Sequence, residues 1–403
     1  MKTLQKTLLA IFACLFVVPV ATADIKKKDT IKSLENRTVP LRRDRVIVDS
    51  SDLARDSYRA FLDLVTDDPE LRAEALRRLG DLELEATEAA QLADNIESLD
   101  SDQYDSAVTL FQRLLEAYPD YRRNDTVLYQ LARAYEIGGK TDAALDVLDE
   151  LVTRFPNTGL LDEVQFRRGE MLFLLKRYND AEMAYEVVTQ YGDKSRFYEQ
   201  ALYKRGWSQF KLAWHEDSLE PFFKLLDRKV KNINIGEGEA RLASLGRAER
   251  ELVEDTFRVL SISFSYMQGA ASIDEFLESS GGRSYGYVIY RNLGDLYLEK
   301  ERFVDAAKSY EAFVKHDPNH PKAPLLQAQV IEAYKQGGFP SLVLDGKRAF
   351  VERYGMDTEF WTLNDRKNNA EVAEYVRSNL TDLAQYYHAE AQRDGKQSDY
   401  GQA

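Results

Sequence analysis

The sequence predicts an all-α fold, an α-solenoid of repeated helical hairpins, and three observations carry that prediction. Small residues recur 37 apart at Ala107, Ala144, Ala181 and Ser218, and four residues after each comes a large apolar side chain: Phe111, Leu148, Tyr185 and Phe222. A second column of small residues, Ala132, Gly169 and Gly206, keeps the same period upstream, as do Pro119 and Pro156 at the ends of two units. Within a unit the apolar spacing is helical. Leu128, Leu131, Ala132 and Tyr135 fall at i, i+3, i+4 and i+7, on one face of a helix. Gly138-Gly139 breaks that helix, "TDAALDVLDELVTRF" repeats the pattern on a second one, and Pro156 stops it. Self-similarity at a fixed period of this kind marks a stacked array whose units bury their apolar faces against one another.

In chain order, residues 1–23 read as a secretory signal peptide. Lys2 and Lys6 form the positive start, Leu8 to Val20 the apolar run, and Ala21-Thr22-Ala23 a small-residue site with cleavage expected after Ala23. The run, interrupted by Pro19, is short for a membrane span. Retention as an N-terminal anchor is the competing reading. Cys14 is the only cysteine and is lost with the leader, so the exported chain has no disulfide, thiol nucleophile or thiolate metal site. Residues 24–50 read as a flexible basic segment, with eight Lys or Arg against four acids between 24 and 45. Peripheral contact with anionic lipid through this segment is possible on charge alone.

Residues 51–227 form a first repeat block, 228–250 an irregular insertion, and 251–355 a second block. An acidic, Ala-rich stretch at 85–103 separates the two helices of the first unit. Residues 356–403 hold a further helix, with an apolar face through Val376, Leu380, Leu383, Ala384 and Tyr387, and then the start of another hairpin. There Tyr400 and Ala403 repeat the spacing of Tyr104 and Ala107, Tyr178 and Ala181, and Phe303 and Ala306. The register therefore leads us to expect that the chain is a fragment of a longer array.

These columns resemble the tetratricopeptide repeat (TPR). The best match is "YRNLGDLYLEKERFVDAAKSYEAFVKHDP", which supplies Tyr290, Leu293, Gly294, Tyr297, Ala306, Tyr310, Phe313 and Pro318. The resemblance implies a right-handed superhelix. The helix-crossover positions it marks are Gly80, Ala107, Ala132, Ala144, Gly169, Ala181, Gly206, Gly294 and Ala306. The period of 37 exceeds the usual ~34, and that longer unit is similar to the repeats of Gram-negative envelope proteins, in particular the N-terminal part of larger multi-repeat periplasmic proteins. Place and architecture are implied; an activity is not.

The catalytic inventory is thin. Histidine occurs at 215, 316, 320 and 388 alone. His316 and His320 have a metal-like spacing, but Pro318 and Pro321 put them in a loop with no third ligand. No phosphate-cradling glycine loop, nucleophile elbow or paired-His zinc helix is present. With 54 Lys and Arg against 68 Asp and Glu, the net charge is −14, which repels nucleic-acid backbones. We therefore expect no enzyme, no cofactor, no metal and no nucleic acid.

Stacked hairpins present a concave wall of first helices, the usual site for a partner segment. Counting from the crossover, the groove-side positions are Tyr129 and Arg133, then Phe166, Glu170 and Phe173, then Tyr203, Trp207 and Phe210. Aromatics bury much area at little entropic cost and suit an extended or helical ligand. The same spacing also fits packing between neighbouring repeats, and both readings stay open at this point. The expected function is a non-catalytic scaffold that binds a protein partner in the periplasm. The alternatives are a structural component of an envelope-spanning motility or transport machine, or a peptidoglycan-binding module, since aromatics also stack on sugars.

Overall fold

The computed structural model describes residues 50–64, 68–93, 104–230 and 245–394. The signal peptide, the basic segment and the chain end at Tyr400 and Ala403 lie outside the described residues, as do parts of the stretches at 85–103 and 228–250. The chain divides into two compact units, residues 1–53 and residues 54–403. Among the described residues there are seventeen α-helices and no strand, arranged as a right-handed α-solenoid. Helix α1 is Ser50–Asp63. The hairpins follow as α2 (Pro69–Ala93) with α3 (Asp105–Ala117), α4 (Asn124–Ile137) with α5 (Thr141–Arg154), and α6 (Leu161–Leu174) with α7 (Tyr178–Gln190). Next come α8 (Tyr198–Lys211) with α9 (Leu219–Val230), and α10 (Arg247–Tyr266) with α11 (Ala270–Ser280). Then α12 (Gly286–Glu299) pairs with α13 (Phe303–His316), and α14 (Ala323–Gln336) with α15 (Pro340–Tyr354). A short α16 (Phe360–Leu363) leads into α17 (Ala370–Asp394).

Each hairpin is locked by an exchange of volume between its two helices. Gly169 on α6 faces Tyr185 on α7, so closely that a Cβ at Gly169 would lie 2.6 Å from the ring. Gly206 and Phe222 repeat this at 2.8 Å, Gly294 and Tyr310 at 2.2 Å, and Gly80 and Phe111 at 2.5 Å. Where the first helix carries Ala132 instead of glycine, the equivalent second-helix residue is the slimmer Leu148, and both are buried in one cluster. Helices α14 and α15 invert the exchange. Ile331 occupies the first-helix position, and Gly346 on the second helix makes room for it, with a Cβ there 3.0 Å from Cγ1. Interiors pack to crystal-like density, so volume added on one helix must be removed from its partner. The remaining crossover residues, Ala107, Ala144, Ala181 and Ala306, are fully buried.

A polar rule accompanies the steric one. Tyr185 donates its hydroxyl to Glu170 at 2.5 Å and Tyr310 donates to Asp295 at 2.6 Å, the acid in each case following the crossover glycine. Gly80 is also followed by an acid, Asp81, but it faces Phe111, which has no hydroxyl to give. Asp81 accepts from Arg77 on Oδ2 at 2.6 Å, while its Oδ1 is buried without a partner, and burial raises its pKa. Phe111→Tyr supplies the missing donor, as Tyr310 does for Asp295. We expect it to stabilise the chain by about 1 kcal/mol, read as a raised midpoint in urea unfolding. Lowered stability would mean that the Asp81 oxygen is not within reach.

The turns between paired helices share a conformation with the same period. Gly139, Lys176 and Ala213 all have positive φ, at 70°, 61° and 61°, and Glu301 and Gly338 repeat it at 55° and 73°. The following amide closes each helix by bonding back to the carbonyl five residues earlier: Lys140 to Tyr135 at 2.8 Å, Arg177 to Leu172 at 2.8 Å, Trp214 to Gln209 at 2.9 Å. This is a Schellman-type ending, which glycine accommodates without strain and other residues do not. Lys176→Gly is expected to raise stability by about 0.5–1 kcal/mol through relief of left-handed strain, measurable by thermal melting. Gly139→Ala should lower it.

Two features differ from the sequence expectation. Helix α2 continues to Ala93, so the first part of the acidic stretch extends the first helix; its Ala and Glu content favours helix. In α17 the buried face runs through Val372, Val376, Asn379 and Leu383, whereas Leu380 is 48% exposed.

Candidate functional site

The first helices touch one another directly and form a continuous wall. Arg133 on α4 pairs with Glu88 on α2. Tyr129 on α4 donates to Glu163 on α6 at 2.5 Å and accepts from Arg167 at 2.9 Å, while Arg167 also reaches Glu136 at 3.0 Å. Lys204 on α8 bonds Glu170 on α6 at 3.1 Å. Tyr203 on α8 donates to Asp255 on α10 at 2.5 Å. Burial and these carboxylate partners push the Tyr129 and Tyr203 phenols up to about 12, so both stay protonated donors at physiological pH.

The six aromatic groove-side residues separate into two sets. Tyr129, Phe166 and Tyr203, three residues before the crossover, act as joints between neighbouring hairpins. Tyr129 is 8% exposed. Phe166 stacks on Phe197 with ring centroids 4.7 Å apart and meets the edge of Tyr185 at 6.0 Å. Tyr203 packs edge-on against Trp207 and Phe222. Arg133 and Glu170 are held in the ion pairs above. Phe173, Trp207 and Phe210 form the second set. They are half-buried, and two of them carry a lysine ammonium on the ring: Lys204 lies 5.0 Å from Phe173 and Lys211 5.5 Å from Trp207.

This second set continues onto an exposed rim that the sequence reading did not single out. Phe210 meets His215 edge-on at 5.3 Å, and His215 stacks on Tyr266 at 4.7 Å. Tyr266 is 65% exposed. No local motif announces this cluster, because its members come from turns and helix ends of successive hairpins. His320 takes no part in it. It is buried, accepts the Lys322 amide on Nδ1 at 3.0 Å and abuts Phe313, so burial lowers its pKa. Among the described residues no group of His, Cys, Asp or Glu is arranged to hold a metal ion, and no helix is long and apolar enough to cross a membrane.

Sequence profiles of the tetratricopeptide repeat match residues 72–121, 98–165 and 291–335. The first span holds the Gly80–Phe111 exchange, the second the Ala132–Leu148 pair and the third the Gly294–Tyr310 exchange, while the Gly169 and Gly206 hairpins lie outside all three. The chain carries tetratricopeptide repeats. Similar solved structures include a TPR protein from Parabacteroides merdae, 14% identical, with 75% of this chain and 98% of that one covered at a TM-score of 0.32. Another is pilF of Pseudomonas aeruginosa, 13% identical, with coverage of 81% and 99% and a TM-score of 0.30. Comparison with curated protein sequences finds no match. A TPR array is in general a protein–protein interaction scaffold, and the fold is typically non-catalytic.

Proposed function

We propose that this TPR protein is a scaffold of the bacterial periplasm that holds a segment of an envelope partner protein along the first-helix wall between α4 and α10. The observation that carries the reading is the row of half-buried rings, Phe173, Trp207 and Phe210, lying on that wall with lysines over two of them. A ring that is part exposed gains area when a ligand covers it, and a desolvated cation beside it is strengthened. The joints Tyr129, Phe166 and Tyr203 contribute by holding the wall rigid, which lowers the ordering cost of binding. The periplasmic location is supported by the leader pattern ending at Ala23. Fractionation of the native host tests that location directly.

The binding test pairs Phe173→Ala with Trp207→Ala and measures capture of envelope proteins by the purified chain. Truncating two anchor rings should reduce capture at least about tenfold, with helicity and melting temperature held close to the parent. Undiminished capture by a folded double variant would remove this wall from the account. Tyr203→Phe is the companion variant: it loses the bond to Asp255 but keeps the ring, so it should alter stability more than capture.

A further inference from the structure

The turn between α13 and α14 carries a titratable side chain inside the joint of two hairpins. His320 is 6% exposed, with the Phe313 ring of α13 edge-on at 5.1 Å and the Tyr287 ring of α12 tilted against it at 5.4 Å. Its Nδ1 accepts the amide of Lys322, the residue just before α14, at 3.0 Å. A ring nitrogen that accepts carries no proton, so the imidazole is neutral with its proton on Nε2. The backbone of His320 serves the same turn. Its amide donates to the Asp317 carbonyl at 3.2 Å, and the Ala323 amide donates to the His320 carbonyl at 2.9 Å. From beyond α16, the Asn364 carboxamide donates to the Asn319 carbonyl at 2.9 Å. One imidazole thus sits where α12, α13 and the start of α14 meet.

We propose that His320 is a proton-sensitive latch on this joint: neutral, it closes the turn between α13 and α14, and protonated, it releases that turn and loosens the α14–α15 hairpin from the α12–α13 hairpin. A proton on Nδ1 sets donor against donor, the imidazole N–H against the Lys322 amide, and so removes the bond. It also places a charge in a buried site, just ahead of the positive end of the α14 dipole. The charged and titratable groups around the ring are few. Arg283, His316, Asp317, Tyr287 and Tyr290 line the small pocket of about 250 Å³ beside it. Of these, Arg283 is held by Asp227, and Tyr290 donates to Asp274. Burial is the largest influence and holds the His320 pKa below its ordinary value; Asp317 favours the charged ring and Lys322 opposes it. The unfolded chain takes up this proton near pH 6.5 and the folded turn does so only at lower pH. The joint therefore keeps its full stability above about pH 6.5 and loses it as the pH falls. The inference does not depend on the first-helix wall, because the turn belongs to different hairpins.

The test is hydrogen exchange of the full chain at about pH 7.5 and about pH 5, corrected for the intrinsic pH dependence of amide exchange. The amides of Lys322, Ala323 and Leu326 should open roughly three- to thirtyfold more readily at the lower pH, while those of α4 to α7 change little. His320→Asn keeps an acceptor two residues before the Lys322 amide, as in an Asx turn, and does not titrate. It should abolish the acid acceleration at this turn, whatever it does to stability. Asp317→Asn removes the carboxylate that favours the charged ring and should enlarge the acceleration. In the parent chain, nitrogen-15 shifts of the His320 ring should show protonation and the loss of Lys322 protection together. Opening at Lys322 that ignores pH, the same acceleration in His320→Asn, a smaller one in Asp317→Asn, or a charged ring with Lys322 still protected would each overturn the proposal.

Discussion

Gly294→Val is expected to unfold the α12–α13 hairpin, with a loss of at least about 3 kcal/mol. A Cβ at this position already falls 2.2 Å from Tyr310 Cε1 and 2.5 Å from Cζ, and valine adds two methyl groups beyond it. The ring cannot step aside, because Tyr310 is fully buried and its hydroxyl is held by Asp295 at 2.6 Å. The two helices must then separate, exposing Tyr290, Leu293 and Phe313, which the hairpin otherwise buries. Each such side chain contributes about 1.5–3 kcal/mol through burial. The pairing of Ala132 with Leu148 supplies the control. Gly294→Ala combined with Tyr310→Leu should recover much of the stability that Gly294→Ala alone loses. Urea unfolding of the three variants checks the sequence of effects, and a Gly294→Val chain as stable as the parent would contradict the packing described.

Asp227→Ala is expected to cost about 2–4 kcal/mol. Asp227, near the end of α9, accepts the Tyr285 hydroxyl at 2.6 Å and Arg283 at 3.1 Å. Tyr285 is 4% exposed, and the Arg283 guanidinium lies 4.7 Å from the Phe223 ring centroid. Removing the carboxylate therefore strands a buried phenol and a partly buried cation together, which is more damaging than losing an exposed pair. Asp227→Asn keeps an acceptor for Tyr285 and should recover part of the loss. Because a repeat array is held by nearest-neighbour interfaces, the effect should show in hydrogen exchange as faster opening around α9 to α12, with α4 to α7 little changed. Uniform acceleration over the whole chain would show that the array unfolds as one unit.

Much of this architecture was legible because repeats print their packing as columns. The interval of 16 residues between Gly169 and Tyr185, Gly206 and Phe222, and Gly294 and Tyr310 is a steric contact written in sequence. The turn conformation was not legible. Lys176, Ala213 and Glu301 occupy a left-handed position with side chains that give no warning of it, and among these turns Gly139 and Gly338 alone carried the usual cue. The long α2 was misread for a related reason, since Ala-Glu composition marks helix as readily as insertion. On the wall, the aromatic positions could be counted from the crossover, but which of them bridge hairpins depends on partners outside the unit. Tyr129 finds Glu163 and Tyr203 finds Asp255, 34 and 52 residues away. No local pattern records such distances, and so the division into joints and half-exposed rings needed the structure.

That division sets the central claim, that the wall of first helices is the partner-binding face of this TPR array. The most direct measurement places a photo-crosslinking amino acid at Phe173 or Phe210 on the wall, or at Asp146 on the exposed side of the second helix α5, in the native host. The account predicts an adduct with one envelope protein from Phe173 and Phe210 and none from Asp146. An adduct from Asp146 alone, or the same adduct from all three positions, would contradict it.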